Sequence, residues 1–225
     1  MEHKIPHRST EKNKKLLLEV AAKLFLQKGY TATTLREIAK EAGVNIGSLM
    51  YTYESKENIL ADMVAIVLHG QFGFTSQILH GVTEDKILYW ATETALQLHM
   101  AESNEAVREL YLMAYSLPKP SAVIYQHIAE KLQAFFQPNF PEYEAKDFYE
   151  LEIASGGIIR SFMSVPCDLY FDINRKIRRY LETSFRIYRL PEKKAEEAFR
   201  FVSAIDFTAA TRQLVDLLLK KIEHE

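Results

Sequence analysis

Apolar residues recur at three- and four-residue intervals along almost the whole chain, and the period-two alternation of a half-buried strand is absent. That pattern predicts an all-α protein. Residues 1–9 are polar and aperiodic and read as a loose lead-in. A first helix is predicted from about Thr10 to Lys28, with Leu17, Val20, Ala21, Leu24 and Phe25 on one face; Gly29 suits a left-handed cap after it. Thr34-Leu35-Arg36-Glu37 is a capping box that opens a second helix, which stops at Ala42-Gly43-Val44. Asn45 caps a short third helix over 46–52. Ser55 caps a fourth that starts at Lys56, with Gly70 and Gly73 expected to kink or end it. Further helices are predicted near 84–102, 104–116, 120–137, 145–165, 172–189 and 191–222, with prolines as breaks.

Composition narrows the class. With 48% hydrophobic and 26% charged residues, the chain is ordinary globular material, so disorder as its main state is excluded. The single cysteine, Cys167, rules out an intramolecular disulfide and a cysteine-built metal cluster. The most apolar run near the amino end, 16–26, is broken by Glu19 and Lys23, so no membrane span and no signal-peptide core is expected there or elsewhere. The expected location is cytoplasmic, with no membrane partner. Phosphate-binding glycine loops, zinc-protease motifs and nucleophile elbows are missing, so no enzyme, cofactor or metal is expected. The net charge of −2 hides an asymmetry: residues 1–60 carry ten Lys/Arg against seven acids, and the remainder is acidic. A basic amino end suits a polyanion; a solvated helix face is the alternative.

Two short helices joined by a glycine turn, with a longer helix before them, form a helix-turn-helix pattern. The second of the pair must anchor one face and offer the other to the major groove. Leu49 and Tyr53, four residues apart, supply the anchor; Ile46, Gly47, Ser48, Met50, Tyr51 and Thr52 remain outward or sideways. A glycine inside a helix costs roughly 1 kcal/mol relative to alanine. Gly47 therefore marks either a close approach of DNA or packing against the first helix.

The ungapped stretch 25–60 resembles the DNA-binding domain of the tetracycline-repressor (TetR) family of bacterial transcription regulators. It does so through Gly29-Tyr30, Thr33-Thr34, Ile38-Ala39, Ala42-Gly43-Val44, Gly47-Ser48-Leu49, Tyr53 and Ser55-Lys56-Glu57. The resemblance implies a DNA-binding unit over 1–55 and a helical ligand-binding and dimerisation unit over 56–225. It implies a dimeric repressor that releases a double-stranded DNA operator when a small-molecule effector binds. An activator or ligand-independent DNA binder of the same fold, or a helical ligand-binding protein without DNA function, are the alternatives. Position by position, it places Thr33, Thr34, Arg36 and Lys56 near phosphates. Asn45, Ile46, Gly47 and Ser48 fall in the leading turn of the reader, and Tyr51 and Thr52 at backbone or base contacts. The family commonly has a basic residue at Ile46 and a tyrosine at Met50. Ile46 is then suited to a thymine methyl, and Tyr51 to the missing phenol's work.

The remainder is aromatic on helical spacing. Trp90, His99, Tyr111, Tyr115, Phe135 and Phe162 are candidates for an effector pocket, with ordinary core as the alternative. Glu93, Gln97 and Arg108 read as surface residues, with orientation of a polar ligand as the other reading, and the acids over 143–152 read as a solvated helix start. Small and apolar residues mix over 153–163, and apolar residues line the last helix. Ile153, Gly157, Arg160, Ile205, Ala209 and Leu217 are expected at a homodimer interface in a four-helix bundle, unless they belong to an internal core.

Overall fold

The computed structural model describes residues 7–224, with side chains over 11–222. Of the lead-in expected to be loose, residues 1–6 lie outside this range. The first helix already begins at His7. Among the described residues the chain is helical throughout, with eleven α-helices and one 3-10 turn over Gln137–Asn139. They are α1 (His7–Lys28), α2 (Leu35–Glu41), α3 (Ile46–Tyr53), α4 (Lys56–Leu79), α5 (Lys86–Glu102) and α6 (Glu105–Ser116). Then come α7 (Pro118–Phe136), α8 (Ala145–Ser164), α9 (Ile173–Ile187), α10 (Glu192–Val202) and α11 (Phe207–His224).

Local signals set the first four. The Thr34 and Glu37 side chains satisfy each other's backbone N–H groups, while Asn45 and Ser55 accept from the N–H groups of Ser48 and Asn58. Gly43 sits at φ +65°, and the following Val44 N–H returns to the Ala39 carbonyl at 3.0 Å, closing the turn into α3. α1, α2 and α3 pack around Leu17, Ala21, Phe25, Ile38, Ala39, Leu49 and Tyr53, all buried.

α5 is the axis of the remainder and packs against α4, α6, α8, α9, α10 and α11. α7 lies along α8 and α4. Two expectations are corrected here. α4 continues past Gly70 and Gly73. A Cβ on Gly70 would lie 2.5 Å from the Leu218 side chain, so this glycine lets α11 approach rather than ending the helix. The helix predicted over 191–222 is two helices, because Asp206 turns the chain and accepts from the Ala209 N–H at 3.1 Å as a new cap. A third correction concerns membrane-spanning capacity. Among the described residues α4 is, by length and composition, long and apolar enough to cross a bilayer. Its apolar residues are taken up by the core: Ile59, Leu60, Met63, Val64, Leu68 and Phe72 are buried against neighbouring helices.

Candidate functional site

α3 is held by its inner face and open on its outer one. Leu49 and Tyr53 point into the three-helix core, where the Tyr53 hydroxyl reaches the Lys14 carbonyl at 3.4 Å. Outward stand Ile46 and Met50, each 42% exposed, and Tyr51 at 78%. Gly47 lies between them on the exposed leading turn, and a Cβ there would meet only the Asn45 Oδ1, at 3.3 Å. No atom of α1 crowds it, so packing against the first helix does not explain this glycine. The Asn45 side chain is engaged as a cap at 2.7 Å from the Ser48 N–H, and the Thr52 hydroxyl donates back to the Ser48 carbonyl at 2.9 Å. Ser48 and Thr52 are half-buried, so the outer surface of α3 consists mainly of Ile46, Gly47, Met50 and Tyr51. Beside it, α2 exposes Arg36 and, one turn on, Lys40. Lys40 escaped the sequence reading although its spacing from Arg36 places both on one face.

Two other expected phosphate contacts have internal partners. Thr33 is fully buried, and its hydroxyl donates to the Gly29 carbonyl at 2.8 Å. The Lys56 ammonium donates to the carbonyls of Tyr30 and Thr33, both at 2.7 Å, and stands 4.1 Å from the centre of the Tyr30 ring. Burial lowers its pKa and, with the neighbouring Glu57 charge, pushes the Tyr30 phenol up to about 12. Lys56 thus fastens the 29–33 turn to α4. Thr34 remains exposed, but its hydroxyl belongs to the capping box; the Lys28 ammonium and the Thr34 groups hold the Glu37 carboxyl down at about 2.

The same turn is gripped from the other side. Glu109 on α6 accepts from the Thr31 N–H at 3.0 Å, and its other oxygen lies where a Cβ on Gly29 would be, 2.0 Å away. Gly29 also has φ +87°, so both backbone conformation and space require glycine.

Inside the larger body the expected pocket residues separate. Tyr111 and Tyr115 line a cavity of about 50 Å³ bounded also by Met63, Val67, Gln71 and Gln97. A second space of about 60 Å³ lies next to it, sharing Met63, Val67, Leu110 and Tyr111. Trp90 and Phe135 belong instead to an aromatic stack with Phe136 and Tyr188. His99 stacks on Phe207 at 4.8 Å, and Phe162 packs against Phe171 and Tyr180.

The body also buries polar residues that the periodicity did not disclose. Glu93 and Gln97 are buried rather than exposed, and so is Glu152 at the end of the acidic stretch. Gln71 donates to the Tyr111 hydroxyl at 2.7 Å and Gln97 to the Tyr115 hydroxyl at 3.1 Å. The Ser155 hydroxyl donates to Glu152 Oε2 at 2.7 Å. Burial pushes the Glu93 carboxyl up to about 8. Burial, reinforced by the Glu93 charge, does the same to Glu152 against the opposing Ser155 bond. Gln71 Oε1, Thr75 Oγ1, Glu93 Oε1 and Trp90 Nε1 find no hydrogen-bond partner among the described residues. Arg108, the third candidate for orienting a ligand, pairs with Glu102 at 3.1 Å.

Of the residues expected at a dimer interface, Ile153, Gly157 and Arg160 lie exposed on the outer face of α8, with the Arg160 Nε donating to Ser116 at 2.9 Å. Ala209 is exposed, whereas Ile205 and Leu217 are half-buried. The main apolar line of α11, Leu214, Leu218 and Ile222, is spent within the same chain on α1, α4 and α5.

A compact three-helix unit presenting one short, solvent-facing helix, carried on an all-helical body with small, mainly apolar interior spaces, defines a helix-turn-helix protein. Residues 17–63 match the family model described as bacterial regulatory proteins, tetR family. The HTH-type transcriptional repressor KstR2 of Mycolicibacterium smegmatis is 34% identical over 131 residues, which cover 58% of this chain and 57% of that one. KstR2 of Mycobacterium tuberculosis is 27% identical over 181 residues, covering 77% and 80%. The first of these matches thus spans little more than half of the relative's length. The crystal structure of RolR in complex with resorcinol superposes with a TM-score of 0.66 over 89% of this chain and 97% of that one, at 13% identity. The family match thus covers the three-helix unit and the start of α4, and the likeness to RolR extends over the rest in fold.

Proposed function

We propose that the protein is a homodimeric, effector-responsive transcriptional repressor. Residues 1–55 read DNA, and residues 56–225 bind a small molecule and hold the dimer. The observation that carries the reading is α3: a capped helix anchored by Leu49 and Tyr53 whose outer turn is a glycine flanked by exposed Ile46, Met50 and Tyr51. That surface has few side chains able to hydrogen-bond a base edge. Affinity then rests on phosphate contacts by Arg36 and Lys40, on apolar contact with thymine methyls, and on DNA shape. Two copies of α3 address half-sites about 34–36 Å apart. The exposed face of α8, with Tyr149, Ile153 and Gly157, continues into exposed Val165, Leu169 and Tyr170, and this surface pairs with its twofold copy. An effector entering beside Met63, Val67 and Tyr111 displaces α4 against α6 and changes the separation of the readers. A coupling of roughly 1–3 kcal/mol gives a ~5–150-fold change in operator affinity. Such a regulator works in the cytoplasm, where its operator is.

The test is selection of bound duplexes from a genomic fragment library, followed by fluorescence anisotropy on the enriched site. Gly47→Glu puts a carboxylate on the groove-facing turn, where the fold has room for it. It should abolish binding while leaving the oligomeric state unchanged; undiminished affinity would remove α3 as the reader.

A further inference from the structure

α4 carries Met63, Val67 and Gln71 at four-residue spacing, on one stripe of the helix, and all three line interior space. The two spaces along that stripe share the walls Met63, Val67, Leu110 and Tyr111. The outer one, of about 60 Å³, is bounded further by Leu26, Met100, Val215, Leu218 and Leu219, on α1, α5 and α11. Leu26, Val215 and Leu219 are half-buried, so this end lies nearer to solvent. The inner one, of about 50 Å³, reaches Gln71, Gln97 and Tyr115. Among the described residues lining either space, none is charged.

The amide groups are confined to the inner end, and one of them is unfinished. Gln71 and Gln97 each donate to a phenol, Tyr111 at 2.7 Å and Tyr115 at 3.1 Å. Gln71 is fully buried, and its Oε1 finds no partner among the described residues. A buried polar atom without a partner is costly. In a space otherwise lined mainly by carbon, a donor on a ligand relieves that cost. The donor cannot be charged. An ammonium or a carboxylate would shed its water with no opposite charge in the wall, and an isolated buried ion costs far more than the unpaired amide oxygen it would meet. A hydroxyl is neutral. Because it both donates and accepts, it completes the Gln71 amide whichever way round that amide lies. The rest of the ligand meets mainly aliphatic and thioether side chains. Along α4 the stripe from Met63 to Gln71 is about 12 Å long, at 1.5 Å per residue. The shape that fits is narrow and elongated, with its polar group at one end.

We propose that the effector is an uncharged aliphatic alcohol, its hydroxyl donating to Gln71 Oε1 and its tail passing between Met63 and Tyr111 towards α11. This names the ligand class for the site and rests on the reading of the body as a sensor. The tail joins the two spaces by turning the flexible Met63 side chain aside. Leu218, a wall of the outer space, packs directly on the α4 backbone at Gly70, where a Cβ would lie 2.5 Å from it. An occupant of the outer space therefore bears on α4 through Leu218 as well as through Met63 and Val67.

The full-length protein is titrated with 1-hexanol and 1-octanol by isothermal titration calorimetry. The controls are octanoate, octylammonium and 1-methoxyheptane, which matches 1-octanol in heavy atoms but has no donor. Release of the operator by each compound is followed by anisotropy. We expect 1-octanol to bind with one molecule per chain, about tenfold more tightly than the ether or either ion. From hexanol to octanol the affinity should rise about fourfold per methylene. Gln71→Leu, its fold checked by circular dichroism, should bring 1-octanol and 1-methoxyheptane to equal affinity, a change that mere loosening of the core would not produce. Val215→Phe, which fills the outer space from a half-buried position, should weaken octanol more than hexanol; equal losses would put the tail elsewhere and refute the placement. Binding of no alcohol, equal binding of alcohol and ether by the wild type, tighter binding of either ion, or an alcohol preference that survives Gln71→Leu overturns the proposal. Binding of 1-octanol by a protein that selects no duplex would strike the repressor reading and leave the alcohol site standing. Release of the duplex by octanoate or octylammonium alone would do the reverse.

Discussion

Gly29→Ala tests the junction between the three-helix unit and the larger helical body. Two costs are expected. A Cβ at φ +87° is sterically disfavoured by about 1–2 kcal/mol. The same Cβ would occupy the position of Glu109 Oε2, 2.0 Å away, so the carboxylate must swing aside and give up the Thr31 N–H that its other oxygen accepts at 3.0 Å. An exposed hydrogen bond of this kind is worth about 0.5–1.5 kcal/mol net. The total, about 2–3 kcal/mol, should lower the urea midpoint by about 1 M at a slope of 2.5–3 kcal/mol/M. The two costs separate in a double-mutant cycle with Glu109→Ala. In that background the obstructing carboxylate is gone and only the backbone cost remains, so Gly29→Ala should be cheaper there by about 1 kcal/mol. Equal costs in both backgrounds would mean that Glu109 does not hold the turn. A cost under about 0.5 kcal/mol in the wild-type chain would mean that the turn does not need a left-handed residue.

Lys56→Met should destabilise the protein by about 2 kcal/mol in urea melts, because two carbonyls lose a charged donor. It should leave the salt dependence of operator binding unchanged, and a slope flatter by one without loss of stability would make Lys56 a phosphate contact after all. Arg36→Ala and Lys40→Ala, both exposed, should each flatten the plot of log affinity against log salt by about 0.9 at little cost in stability. Glu93 is held protonated in the fold, at about 8, and ionises from about 4.5 once unfolded. Between those values the unfolded chain holds fewer protons, so stability falls as pH rises, by about 1.4 kcal/mol per unit for that carboxyl. Glu93→Gln should lose less stability between pH 5 and 7 than the wild type; parallel losses in urea melts at the two pH values would refute the assignment.

What could be read from the sequence was what neighbouring residues decide among themselves. The caps at Thr34, Asn45 and Ser55, the Gly43 turn and the anchor pair Leu49 and Tyr53 each depend on residues within one helical turn, and their spacing disclosed them. Gly70 misled because its requirement comes from Leu218, far along the chain. The break before α11 carries no glycine or proline, and only the capping capacity of Asp206 signals it. Nothing local shows that Lys56 and Thr33, expected at phosphates, have the carbonyls of the 29–33 turn as partners. Glu93, Gln97 and Glu152 were read as surface residues because charged and amide side chains normally are. Their burial is set by six helices converging on α5.

One consequence follows from where Glu109 stands. On α6 it touches the 29–33 turn, while the next two residues, Leu110 and Tyr111, form walls of both interior spaces. A single helical turn therefore belongs to both halves of the molecule, and traffic across it must run both ways. If an occupant of the interior loosens the protein's hold on its operator, then by thermodynamic necessity the operator expels that occupant by the same factor. Copies resting on DNA would be the least sensitive in the cell, and those free in solution would intercept the signal first.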